Sequence, residues 1–309
     1  MQTRKIGSLE VSVVGLGCNN FGWRLDAEGS SQVVGAAIDN GINFFDTADI
    51  YGGTKSEEFL GRALGARRAS VIIATKFGMK SNELPGGAGL DYVRASVENS
   101  LRRLGTDYID LYQLHQPDPS VPIAETLGAL EELRRTGRVR EIGCSKFSVE
   151  QIREADDLAQ KRGTARFVSV QNEYSLLHRD PERGVLEECK RRAMAFVPYF
   201  PLASGLLTGK YRTGRPTPTG TRLTEVDRYA GRLSRESLET VDGLIHLAEA
   251  RGRTILDLAF GWLLSRPVVS SVIAGATSPE QVKQNAASAT WRLTAEELEE
   301  VDAALARPA

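Results

Sequence analysis

Eight short apolar runs, at residues 13–17, 42–45, 71–75, 109–114, 139–143, 167–170, 195–199 and 271–274, punctuate the chain, and amphipathic helical patterns fill the gaps. Runs of this kind, bounded by turn residues and free of polar alternation, read as strands buried on both faces. Such a strand followed by a helix crosses over to a parallel neighbour, so the series predicts an α/β fold with a parallel sheet. Eight units in 309 residues predict a (β/α)8 TIM barrel, in one domain spanning residues 1–309. A doubly wound sheet is the alternative. It calls for a third glycine after Gly15 and Gly17 in "GLGCNNFG", and the spacing does not supply one. "GLLTGK" at residues 205–210 is one residue short of a phosphate loop, with Tyr211 where a hydroxyl would hold magnesium.

Ahead of the barrel, "RKIGSLEVSVVG" reads as a β-hairpin turning at Gly7 and Ser8, an N-terminal plug. Asp91 is expected to cap a helix carrying Val93, Val97, Leu101 and Leu104 on one face, with Gly105 closing it. Ser120 is expected to open the next helix, and Ser148 with Gln151 and Ser278 with Gln281 have capping-box spacing. Residues 208–234, rich in Gly, Pro, Thr and Arg, are too long for an ordinary connection and read as a lid or binding loop.

A net charge of -1 disfavours nucleic acid or an anionic membrane surface as partner and leaves a small molecule as the expected one. The cysteines, Cys18, Cys144 and Cys189, are odd in number and lack CxxC spacing. Neither a disulfide framework nor a metal site is therefore expected, and a reducing cytoplasm fits. The first residues lack the apolar core of a signal peptide, and no run approaches the roughly 20 apolar residues of a membrane span.

In a barrel, reactive groups gather at the C-terminal ends of the strands. Three successive runs end on ionisable residues: Asp46 after "INFF", Lys76 after "VIIAT" and His115 after "IDLYQL", with Tyr51 in the loop beyond the first. Alone, each has a plain structural reading, as cap, snorkelling cation, satisfied imidazole or packing ring. Together at one rim they suggest chemistry. An ammonium beside a phenol favours the phenolate, so Lys76, kept charged by Asp46, is expected to make Tyr51 unusually acidic. His115, with the Tyr51 hydroxyl within bonding reach, would orient a carbonyl oxygen. The set suits reduction of an aldehyde or ketone to an alcohol, with hydride brought by a nicotinamide.

At these residues the sequence resembles the aldo-keto reductase superfamily. "FFDTADIYGGTKSEEFLGRAL", "VIIATKFG", "DYIDLYQLHQPD", "EIGCSKF", "VQNEYSLL", "FPLASGLLTGKY" and "IAGATSPEQVKQN" follow the order of that family along nearly the whole chain. The resemblance implies a (β/α)8 barrel that binds NADPH, less often NADH, in an extended pose without a dinucleotide-binding domain. It implies Tyr51 as general acid, Asp46 and Lys76 as the residues that tune it, and His115 as the carbonyl-orienting group. Ser145 and Gln171, with Asn172 beside them, would hold the nicotinamide carboxamide, Tyr199 would stack on the ring, and Cys18 and Asn19 would approach the same end. Leu202, Ser204, Gly205, Lys210 and Arg222 would line the pyrophosphate channel. Gly275, Thr277, Gln281, Gln284 and Asn285 would form the adenosine end, where the helix opened by Ser278 suits a phosphate.

Two departures from the family pattern stand out. Lys146 stands where Asn is common after the serine of "GCSKF", and Gln281 and Gln284 replace the frequent Arg and Glu of the adenosine end. Preference for NADPH then rests on Lys210, Arg222 or backbone groups. Asn19, Phe21, Trp23, Phe77 and the loop after His115 are expected to shape the substrate pocket. Two rival functions stay open: a cofactor-binding regulatory partner like the potassium-channel β subunits, disfavoured by the lack of a long extension before the hairpin, and a Schiff-base aldolase using Lys76.

Overall fold

The computed structural model describes residues 1–306. Strands β1 (Thr3–Ile6) and β2 (Leu9–Ser12) form the expected hairpin, with Gly7 at φ 57° in its turn. The barrel strands follow: β3 (Val14–Gly17), β4 (Phe44–Asp46), β5 (Ile72–Phe77), β6 (Ile109–Leu114), β7 (Val139–Ser145), β8 (Ser169–Glu173), β9 (Ala195–Tyr199) and β10 (Val272–Gly275). All pair in parallel in the order β10-β3-β4-β5-β6-β7-β8-β9. The ring closes between β9 and the approach to β10, where Phe196 N donates to Val268 O at 2.8 Å and accepts at its carbonyl from Ser270 N at 3.0 Å. The architecture is therefore the predicted (β/α)8 barrel.

Helices α1 (Ala27–Asp39), α2 (Lys55–Leu64), α3 (Leu90–Leu104), α4 (Ile123–Arg135), α5 (Val149–Arg162) and α6 (Val185–Arg191) link the strands up to β9. Two short turns, α7 (Arg222–Glu225) and α8 (Asp227–Ala230), lie in the long connection after β9, followed by α9 (Arg235–Glu249), α10 (Ile255–Leu264), α11 (Pro279–Ala287) and α12 (Ala295–Ala306). Among the described residues no helix is long and apolar enough to cross a membrane.

Some helix ends differ from expectation. The N-cap of α3 is Gly89, and Asp91 lies within its first turn, where a carboxylate favours the positive end of the helix dipole without capping it. Pro122, not Ser120, precedes α4; Ser120 Oγ donates to Asp118. Ser148 makes the full capping box with Gln151. Ser278 caps Gln281 N, but the Gln281 side chain accepts from Thr277 N one residue further out.

Side chains on a strand alternate between faces, so the sheet sorts its residues into two apolar layers. One lies between sheet and helices. The other fills the lower lumen, where Phe44, Ile72, Ala74, Leu111, Val197 and Ile273 pack on Ile6, Leu9 and Val11 of the hairpin. Arg4 pins the hairpin by donating to Leu264 O at 2.7 Å, and Ser8 N donates to Glu141 Oε1 at 2.7 Å. Gly15 leaves room for the lumen: a Cβ there would stand 2.9 Å from Phe44 Cδ1. The partial glycine motif thus serves packing.

Two helical glycines give opposite expectations. Gly61 of α2 lies against the end of α3, where a Cβ would fall 2.4 Å from Leu104 O, whereas a Cβ on Gly35 of α1 meets nothing within 4 Å. Gly35→Ala should stabilise by about 1 kcal/mol through helix propensity. Gly61→Ala should destabilise by roughly 1–3 kcal/mol through overpacking. Urea midpoints of the two variants, moving in opposite directions from wild type, check the α2–α3 contact.

Candidate active site

Alternation carries the lumen pattern upward. Two residues beyond Phe44 comes Asp46, two beyond Ala74 comes Lys76, and two beyond Leu111 comes Gln113, so a polar layer caps the apolar one. Lys76 is fully buried, and its Nζ donates to Asp46 Oδ2 at 2.6 Å and Thr47 O at 2.8 Å. Tyr51 Oη lies 3.5 Å from the same Nζ. The other Asp46 oxygen accepts from Gln171 Nε2 at 2.8 Å and Gln113 Nε2 at 3.4 Å. His115, buried, meets the Tyr51 ring edge to face with centroids 5.9 Å apart. No hydrogen bond joins the two rings, and His115 Nδ1 is buried without a partner, whereas the sequence led one to expect hydroxyl and imidazole within bonding reach.

Tyr51 is set in place by a close backbone approach. Gly52, at φ 58°, follows it, and a Cβ there would sit 2.2 Å from Phe21 O in the loop after β3. Only glycine satisfies both the left-handed backbone and that contact.

Electrostatics overturn one expectation. Burial raises the Tyr51 pKa above that of an ordinary phenol; Lys76 opposes this and Asp46 adds to it, so the cation offsets burial only in part. The hydroxyl holds its proton firmly. For Lys76, burial works to strip the proton, but Asp46 and then Tyr51 outweigh it and hold its pKa above the usual lysine value. His115 is driven well below the ordinary imidazole value by burial, then by Lys76 and Lys146, so it is neutral near pH 7.

The remaining sequence-predicted residues lie at strand ends and in the segments that follow them. Ser145 and Gln171 are register partners on β7 and β8. Asn172 Nδ2 donates to Phe147 O at 2.9 Å, and its Oδ1 is buried without a partner. Tyr199 ends β9, its pKa pushed up to about 12 by burial and then Glu173, with Tyr51 among the lesser causes. Leu202, Ser204 and Gly205 form a kinked turn with Ser204 at φ 60° and Gly205 at φ 109°, and Ser204 Oγ is buried without a partner. Lys210 packs beside Gly205, and its pKa is lowered by burial, then by Arg24 and Arg222. Gly275, Thr277, Gln281, Gln284 and Asn285 follow one another from the end of β10 into α11, with Asn19 Oδ1 3.2 Å from where a Gly275 Cβ would stand.

Cys18 is displaced from its expected role. Its side chain is fully buried in the layer between sheet and helices, its N donates to Asp46 O, and its carbonyl accepts from Ser56 Oγ. Phe77 also faces outward, stacked on Tyr112 at 4.6 Å, and Phe21 is fully buried, so neither walls a pocket. Trp23 alone of these rings is exposed, flanked by the guanidinium groups of Arg24 and Arg222.

Sequence reasoning missed Gln113, Arg24 and Asn20. Gln113 lies two residues before His115, and strand alternation alone would have placed it under the site. Arg24 pairs with Glu225 of α7 at 2.5 Å, and Arg222 donates to Asn20 Oδ1 at 2.9 Å. These contacts fasten the long connection after β9 to the loop after β3, and Arg24, Lys210 and Arg222 form a cationic cluster beneath it.

A family model described as "Aldo/keto reductase family" matches residues 13–306. The chain is 37% identical over 307 residues to "Aldo-keto reductase YhdN" of Bacillus subtilis (strain 168), covering 96% of this chain and 91% of that protein. It is 34% identical over 296 residues to a "Probable voltage-gated potassium channel subunit beta" of Arabidopsis thaliana, covering 92% and 90%. Among solved structures it resembles "aldo-keto reductase AKR11C1 from Bacillus halodurans (holo form)", with a TM-score of 0.80, 32% identity and coverage of 100% and 97%.

The buried ion pair can be probed without any ligand. Asp46→Asn leaves the Lys76 ammonium in a dry lumen, and the loss at pH 7 should be on the order of 3–5 kcal/mol. With its counter-charge gone, burial lowers the Lys76 pKa, so the folded variant favours the neutral amine. Its deficit should shrink as pH rises from 7 towards 10 in urea unfolding. An equal deficit at both ends of that range would show that the charge is not at stake.

Proposed function

The chain belongs to the aldo/keto reductase family, and from that premise we propose that it reduces an aldehyde or ketone to an alcohol with NADPH. The observation that carries this reading is the placement of the Tyr51 hydroxyl 3.5 Å from the buried, Asp46-paired Lys76, opposite a neutral His115.

The residues fit a nicotinamide dinucleotide. The unsatisfied Ser204 Oγ and Asn172 Oδ1 and the cluster of Arg24, Lys210 and Arg222 offer a hydroxyl, an amide and positive charge to a phosphorylated, polar ligand. Ser145 and Gln171 would hold the carboxamide, Tyr199 would pack on the ring, and Leu202, Ser204, Gly205, Lys210 and Arg222 would follow the pyrophosphate. Asn19, Gly275, Thr277, Gln281, Gln284 and Asn285 would flank the two ends. When bound, the reduced nicotinamide supplies hydride to the carbonyl carbon.

His115, as a neutral imidazole, donates its N–H to the carbonyl oxygen and fixes it beside Tyr51. Tyr51 passes its proton to that oxygen as negative charge develops there, and the Lys76 ammonium stabilises the phenolate left behind. Asp46, held by Gln171 and Gln113, keeps Lys76 charged through the step. Because burial keeps the phenol protonated, the donor is loaded over the whole neutral range. Three free, buried cysteines suit the reducing cytoplasm in which we place the protein.

A raised Lys76 pKa argues against the aldolase reading, since a Schiff base needs the neutral amine. The likeness to probable channel β subunits supports a second reading, in which the chain binds cofactor and regulates a partner. Turnover separates the two. Fluorescence titration with NADPH and NADH should show binding in both wild type and Tyr51→Phe. On a panel of carbonyl compounds Tyr51→Phe should be slower by at least about two orders of magnitude. Equal rates would remove Tyr51 as the acid, and tight NADPH binding with no turnover in wild type would favour the regulatory reading.

A further inference from the structure

Between Asp46 and Tyr51 lies a third acid, Asp49, that the reaction above does not use. It is 2% exposed, and both its carboxyl oxygens are buried without a hydrogen-bond partner. Its backbone N–H donates to Lys76 O at 3.2 Å, so the same residue touches the strand of Lys76 and precedes Tyr51 by two positions. The charged and titratable groups that act on it, or that it acts on, come from every neighbouring element: Glu57 of α2, Tyr92 and Arg103 of α3, Lys76 of β5 and Tyr112 of β6.

The cations nearby are already engaged, Lys76 by Asp46 and Thr47 O, and Arg103 by other groups. Glu57, fully buried, accepts from Thr75 Oγ1 and from Arg103 Nε at 2.7 Å. Arg103 gives its other nitrogens to Glu57, Ser100 Oγ and Glu83. A buried carboxyl that no cation hydrogen-bonds favours its neutral form. Burial and then Glu57 push the Asp49 pKa up to about 8, with Arg103, the Ile50 backbone N–H and Lys76 opposing in that order.

We propose that Asp49 is a positioning residue under proton control: neutral, it stays seated behind β5 and holds Tyr51 against Lys76; on releasing its proton to solvent it leaves that seat and shifts the Tyr51 segment. The role of Tyr51 in this statement rests on the functional reading above, but the coupling itself is measurable in the ligand-free chain.

Carboxyl carbon NMR of wild type, assigned with Asp49→Asn, should show Asp49 titrating near pH 8. The ring-carbon signal of labelled Tyr51, assigned with Tyr51→Phe, should move with the same midpoint and stay flat in Asp49→Asn between about pH 6.5 and 9, the range around that ionisation. Since the folded pKa lies above the unfolded one, ionisation costs wild type stability progressively from pH 4 to 8. The Tm gain of Asp49→Asn should therefore be near zero at about pH 4 and reach its full size above about pH 8. Turnover in wild type, at saturating NADPH and carbonyl, should lose half its rate near pH 8 and Asp49→Asn should lack that step. An Asp49 carboxyl that titrates near 4, or a Tyr51 signal that follows the same curve in Asp49→Asn, overturns the proposal. A Tyr51→Phe protein as fast as wild type overturns the functional reading and leaves the NMR result to judge the coupling.

Discussion

A lysine and an aspartate held 2.6 Å apart inside the barrel organise everything above them. Neither charge would be tolerated there alone, and each has further partners that fix its direction: Thr47 O for Lys76, Gln171 and Gln113 for Asp46. The pair therefore draws β4, β5, β6 and β8 into one polar layer. Tyr51 and His115 rest on that layer, and the acid–base properties of both depend on it. Because the lumen below is packed with apolar side chains and the hairpin, the charge at Lys76 is not diluted by water from beneath.

The barrel was legible because strands covered on both sides are mostly apolar, and all eight runs became strands. Their C-terminal ends were less legible. The apolar run at 71–75 continues as a strand to Phe77, that at 139–143 to Ser145, and that at 167–170 to Glu173. Hydrogen bonding goes on where apolarity stops, because the upper lumen is polar by design of its chemistry. Alternation, applied strictly, would have sent Cys18 and Phe77 outward and brought Gln113 in.

Other features had no signal in one dimension. Whether Tyr51 is made more or less acidic depends on how burial weighs against one ammonium, and the answer came out opposite to the sequence argument. Asp49 looks like an ordinary turn residue until its surroundings show that Glu57 and Arg103 satisfy each other and leave it out. Arg24 sits in a loop, and only the fold brings it to Glu225 across the mouth.

The hairpin at the foot of the barrel has a consequence for traffic. With Ile6, Leu9 and Val11 wedged into the lower lumen and Arg4 bolting them to the end of α10, the cylinder is a blind well. Whatever descends through the upper rim must climb out the same way.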